Sequence, residues 1–182
     1  MIRLIYSYGH FFVMDRTYGI KRLPGEAWIR IFKGIRVIII RAGTFVELQK
    51  DVEDCFGEQA RALFYDAGVR AGRESAKVLL EEWKERGTDF LARLKEFYSS
   101  EGVGWFKIRE INVNQPKHEG YIRIEQSFIA EEYGRSERPV CDFLSGYFAG
   151  VLEQVFGGEF SCSETKCIAK GDPFCEFRFE RS

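Results

Sequence analysis

The sequence predicts an α+β domain: an antiparallel sheet with helices packed on one of its faces. Three observations predict it. Residues 44–98 carry the helical period almost without interruption. Residues 105–125 then alternate apolar and polar in steps of two. The chain closes, after one more helix, on two short strands around a tight turn. Helices followed by a meander with one inserted helix suit helices gathered on one side of a single sheet.

Taken in order, the aromatic start "MIRLIYSYGHFFVMDR" is set off by the Pro/Gly-containing "KRLPGEAW". Residues 1–34 read as an N-terminal extension, and residues 35–182 as the main domain. A lone hairpin is marginally stable, so this apolar extension is expected to supply strands to a two-fold homodimer. Folding back onto its own chain is the competing reading. "IRVIIIR", residues 35–41, reads as a buried strand by its β-branching. Thr44 and Glu47 have capping-box spacing at the start of the helical run. Gly57 is expected to break that run and Gly87 to close it. Ala60, Ala67, Gly68, Ala71 and Gly72 would let another element approach closely. A further helix, Asp89 to Tyr98, follows Thr88.

"GWFKIREINVN" sets Phe106 and Ile108 against Lys107 and Arg109, and "GYIRIEQSF" sets Ile122 and Ile124 against Arg123 and Glu125. These are half-buried antiparallel strands joined across "QPKHEG". "ERPVCDFLSGYFAGVLEQVFGG" is a helix with Pro139 near its first turn and Gly157 at its end. In the last strand Cys175, Phe177 and Phe179 point inward, while Glu176, Arg178 and Glu180 point outward.

Composition narrows the function classes. A formal net charge of -1 over 182 residues gives no general electrostatic case for nucleic acid or an anionic membrane. No apolar run approaches the roughly 20 residues of a membrane span, and the start lacks a cleavable signal layout, so a cytoplasmic protein is expected. Two Asn and two Met, amid abundant Glu, Lys and Arg, lean thermophilic.

Five cysteines, an odd number, argue against a disulfide framework. Cys141 at a helix start, Cys167 before the turn, Cys175 in the last strand and Glu164 could converge in a closed tetrahedral site. Zinc suits three thiolates and a carboxylate, and softness argues against magnesium or calcium. Two plainer readings stand beside this one. Free cysteines often simply fill a core, and Cys167 and Cys175 could form a hairpin disulfide.

The segments "GIRVIIIRAGTFVELQKDVEDCFGEQARALFYDAGVRAG" and "SFIAEEYGRSERPVCDFLSGYFAGVLEQVFGGEFSCSETKCIAKGDPFCEFRFE" resemble the vinyl-4-reductase domain family. That family includes the sensor modules of phenol- and xylene-responsive transcription activators, a protein linked to bacteriochlorophyll vinyl reduction, and stand-alone archaeal proteins, the type this chain is most like. The likeness covers roughly residues 35–180. It implies a ligand-binding fold shared with nitric-oxide-signalling and Golgi transport-particle domains. It also implies structural zinc held by Cys141, Glu164, Cys167 and Cys175, stapling a long helix to the closing hairpin. Lys166 or Lys170 could offset the negative charge of that set.

The resemblance further implies a pocket for a small hydrophobic or aromatic ligand between helices and sheet. Its candidate lining is Tyr98, Trp105, Phe106, Ile124, Phe128, Tyr147, Phe148, Val151 and Cys162, with Phe97 beside them. Each of these is equally at home in an ordinary core. The family's sensors hold a phenol hydroxyl with a histidine and a tryptophan. Here Tyr98 stands in the histidine's region, and His10 and His118 are peripheral, so a more apolar ligand is favoured.

No enzyme motif is present. "GVRAG" and "SGYFAG" lie within helices rather than phosphate-binding loops, and no nucleophile elbow or cysteine–histidine pair occurs. The expected role is a zinc-stabilised sensor or carrier. The alternatives are an interaction subunit that buries an acyl chain and an accessory to tetrapyrrole vinyl reduction.

Overall fold

The computed structural model describes residues 29–31, 35–100 and 104–182. The chain forms two compact units, Met1–Arg41 and Ala42–Ser182. Most of the expected dimerising extension, including residues 1–28, lies outside the described residues. In the first unit, strand β1 (Ile29–Ile31) pairs antiparallel with β2 (Ile35–Val37), Ile29 in register with Val37. The strand expected through residue 41 stops short. Ile38 and Ile39 are 85% exposed: β-branching favours extended backbone there, but the ladder ends at Val37 and the next helix begins at Ala42.

The second unit opens with α1 (Ala42–Phe56), α2 (Glu58–Trp83) and α3 (Gly87–Ser100). Helix α1 starts two positions before Thr44, which therefore sits inside its first turn rather than at the cap. Gly57, at φ 57°, separates α1 from α2 as expected. Helix α2 ends earlier than Gly87. Lys84 adopts the left-handed conformation, its N–H bonding Leu80 O, and Arg86 Nη1 donates to the same carbonyl at 2.9 Å. A lysine with an arginine cap thus supplies what a glycine was expected to supply, and Gly87 instead opens α3.

Strands β3 (Lys107–Asn114) and β4 (Glu119–Glu125) form the expected hairpin. A helix not anticipated, α4 (Phe128–Tyr133), follows, with Ser127 as its N-cap. Then come α5 (Asp142–Phe156), β5 (Phe160–Lys166), a single 3-10 turn (Ile168–Lys170) and β6 (Cys175–Arg181). The sheet order is β3-β4-β6-β5, all antiparallel. The last strand therefore runs between β4 and β5.

Helix α5 is buried continuously from Leu144 to Leu152. A helix apolar on all sides must be covered on all sides. One side meets the sheet, where Phe148 packs edge-on against Phe177 at 5.0 Å. The other meets α2 at backbone contact. A Cβ on Gly68 would lie 2.1 Å from Phe143 O, and one on Gly146 would lie 1.9 Å from Tyr65 O. Gly72 and Gly150 repeat the pattern one turn on. The glycines in "GVRAG" and "SGYFAG" are the seam between two helices. Arg61 with Asp142 and Arg73 with Glu153 clasp its rims.

The opposite sheet face carries Tyr121, Arg123, Ser161, Ser163 and Arg178. Glu176, expected to be solvated there, is 1% exposed. Arg123 Nε at 2.7 Å, Arg178 Nε at 3.2 Å and Thr165 Oγ1 at 3.1 Å enclose its carboxylate. A polar groove of about 570 Å³ lies on this outer face, over Asn112, Tyr121, Ser161 and Arg178.

Candidate metal centre and the aromatic core beside it

Cys141, Glu164, Cys167 and Cys175 come from separate elements and meet in one place: their ligand atoms all lie within 4.8 Å of one another. Each is delivered by a local feature. Cys141 is the N-cap of α5. Glu164 is the last inward position of β5 before a bulge at Thr165, between the pairs Glu164–Phe177 and Lys166–Glu176. Such a bulge re-aims the side chains that follow it, and Cys167 comes next but one. The turn is braced on Cys167, whose N–H donates to Asp172 Oδ2 at 2.8 Å and whose carbonyl accepts from Lys170 and Asp172. Gly171, at φ 94°, closes the 3-10 turn in a conformation side chains resist. Cys175 then opens β6.

The three cysteines are fully buried, and each of the four groups has a protein donor. Ser127 Oγ lies 3.5 Å from Cys141 Sγ. The Val140 N–H serves Cys167, and the Ile168 N–H lies 3.4 Å from Cys175 Sγ. The Cys141 N–H donates to Glu164 Oε2 at 2.9 Å. Glu164 Oε1 is left buried without a hydrogen-bond partner, a costly condition unless something else coordinates it. Burial, with the nearby Cys167 charge, pushes the Glu164 carboxyl up to about 8. Burial also pushes the Cys141 thiol up. Hydrogen bonds from Cys141 and Cys175 hold Cys167 down at about 2. Four acids crowded together out of water can ionise together only around a cation.

The donor set fits a soft four-coordinate metal, with Oε1 as the free carboxylate oxygen. Lys166 does not offset the charge directly; its ammonium lies over the Phe174 ring, 5.0 Å from the centroid. All five cysteines are free thiols. Cys55 is exposed, and Cys162 sits opposite Phe179 with its N–H on the Tyr65 hydroxyl at 3.2 Å.

Beside the cluster, Ile124 pairs with Cys175 across β4 and β6. Around it the expected pocket residues pack on one another. Tyr98 stacks on Phe106 at 4.5 Å, Phe106 meets Phe148 at 5.4 Å, and Trp105 meets Tyr147 at 5.4 Å. The Tyr98 and Tyr147 hydroxyls bond at 2.6 Å, and Tyr147 also bonds Ser75 of α2. A cavity of a few hundred Å³ was expected between α3, α5 and the strands of Phe106 and Ile124. Those rings occupy that space, and the groove noted above lies on the other sheet face. Trp105 and Phe128 are half-buried at the edge of the group, with centroids 6.2 Å apart. Val151 is buried on α5. Three participants were not expected: Ser127, Ser75 and Asp172. Of these, only Ser127 carried a readable sign, a capping residue just before a short apolar stretch.

Burial raises the pKa of both Tyr98 and Tyr147 above the ordinary 10.0. A phenol whose folded pKa is raised favours folding below its unfolded value, and that contribution is lost as pH climbs past it. Alkaline titration followed in the near ultraviolet is therefore expected to show these two tyrosines silent until the chain unfolds. Their early, reversible ionisation in folded protein would contradict this placement.

Comparison with known proteins gives a consistent picture. Residues 121–181 match the vinyl-4-reductase domain model. An uncharacterized protein of Methanocaldococcus jannaschii is 30% identical over 151 residues, covering 81% of this chain and 91% of its own length. The phenol regulator MopR of Acinetobacter guillouiae is 27% identical over 160 residues, 83% of this chain; the match spans only 28% of that regulator. Among solved structures, the phenol-responsive sensory domain of the transcription activator PoxR, with phenol, aligns at a TM-score of 0.74 and 22% identity. That alignment covers 90% of this chain and 85% of the sensory domain. A trafficking protein particle complex subunit 3 from Naegleria fowleri, covalently bound to palmitic acid, aligns at 0.55 and 13% identity, covering 78% and 95%. These two solved structures share the fold: helices with an antiparallel sheet.

Proposed function

The chain belongs to the vinyl-4-reductase domain family, and on that premise we propose that it is a zinc-stabilised domain that binds a small hydrophobic or aromatic molecule, as a sensor or carrier. The observation that carries this reading is the Tyr98–Tyr147 hydroxyl pair at 2.6 Å, set in an otherwise apolar aromatic wall. Such a site, mostly apolar with few convergent polar groups, is what a small aromatic ligand requires. MopR and PoxR, which respond to phenol, make a ligand of that class the first candidate. The wall would open by rearrangement of Trp105 and Phe128 at its edge.

In this proposal zinc is held by Cys141, Glu164 through Oε1, Cys167 and Cys175. With four protein donors, no position is left to activate a water, so the metal is structural and the domain is not an enzyme. Residues 1–34 are proposed to join two copies, and the protein is proposed to be cytoplasmic.

Native mass spectrometry of the full chain, purified without chelator, tests these points together. One zinc per chain and a dimer mass are expected, and added toluene or phenol should quench tryptophan emission saturably. A spectrum with zinc, no saturable quenching and a bound fatty acyl chain would favour the interaction-subunit reading. A monomer mass would end the dimer.

A further inference from the structure

We infer that Ser127 is a positioning residue: its hydroxyl donates to the Cys141 sulfur and so ties helix α4 and Phe128 to the metal centre. This rests on the metal reading above. Ser127 is fully buried. Its Oγ accepts the Ala130 N–H at 3.3 Å and lies 3.5 Å from Cys141 Sγ. Because the oxygen is already taken as the α4 cap, its proton is free to point elsewhere, and Sγ is the acceptor within reach. A metal-bound cysteine is a thiolate, which can only accept.

The other donors to the cluster are backbone N–H groups, of Val140, Ile168 and Cys141. Those are fixed by the fold itself; Ser127 contributes a side chain. The next residue completes the link. Phe128 N–H donates to Trp105 O at 2.9 Å, and the Phe128 ring packs on Phe45 at 5.3 Å. Two adjacent residues therefore touch the metal centre and the edge of the aromatic wall.

The test loads the full chain with cobalt(II) and compares Ser127→Ala, Ser127→Gly and Ser127→Thr. Replacing a serine cap by glycine costs only a few tenths of a kcal/mol, so the glycine variant removes the donor while sparing the helix start. In the alanine and glycine variants the sulfur-to-cobalt charge-transfer band is expected to move to lower energy. Chelator should also strip the metal about tenfold faster. Threonine, which keeps the hydroxyl, should restore both readings. If alanine prevents folding, glycine decides. A glycine variant with wild-type band and release rate would overturn the inference alone. Failure of the wild-type protein to take up cobalt would overturn the metal reading as well.

Discussion

Cys175→Ser is expected to release the proposed zinc and to lower the melting temperature by roughly 6–20 °C. The figure follows from about 3–5 kcal/mol for breaking a buried charged set, at roughly 2–4 °C per kcal/mol for a chain of this size. Metal binding free energy is folding free energy where the site forms only in the fold. Here the ligands are brought together from α5, β5, the turn and β6. Without the cation, the remaining thiols and Glu164 would have to take up protons in a place that water does not reach. Cys55→Ser, at an exposed thiol, is the control and should change neither metal content nor melting. Elemental analysis and a thermal scan read both quantities. A Cys175→Ser protein that melts within two degrees of wild type, by about the precision of such scans, would remove the structural role.

The sheet was legible because its strands alternate cleanly. Ile122, Ile124, Phe177 and Phe179 read inward from the sequence and are buried. The four clustered groups were legible only in part. Cys175 was placed inward by alternation, but the bulge at Thr165 that aims Cys167 has no sequence signature of its own. Where the reading failed, tertiary context outweighed local pattern. "IRVIIIR" has every local mark of a strand, yet its last isoleucines have no ladder partner among the described residues. Glu176 reads as a solvated charge from its place in the alternation. Arg123 and Arg178 enclose it from neighbouring positions on the sheet, and only the strand order brings Arg123 there. The pocket is the clearest instance. Composition identifies which aromatics are interior, but whether rings enclose space or fill it depends on rotamers that no spacing encodes.

The glycine seam between α2 and α5 yields the second large effect. Gly146→Ala is expected to destabilise the domain by about 3 kcal/mol, near the upper end of the usual range for overpacking. The new Cβ would start 1.9 Å from Tyr65 O and 2.8 Å from Tyr65 C. Ordinary contact begins beyond 3.4 Å, and backbone cannot swing aside as a side chain does. The helices would have to separate, and with them the packing of Phe148 on the sheet. Gly68→Ala meets the same obstacle at Phe143 O, 2.1 Å away. The two sites share one seam, so combining them should cost less than the sum: once the helices have parted, the second methyl finds room. Gly43→Ala is the contrast. It lies in α1, and its Cβ would meet only the flexible end of Glu132 at 3.2 Å. Removing a glycine from a helix then favours folding by up to about 1 kcal/mol. Denaturant unfolding of these single variants and the Gly68/Gly146 pair checks all of this. Gly146→Ala unfolding at the wild-type midpoint would mean that the helices do not touch backbone to backbone.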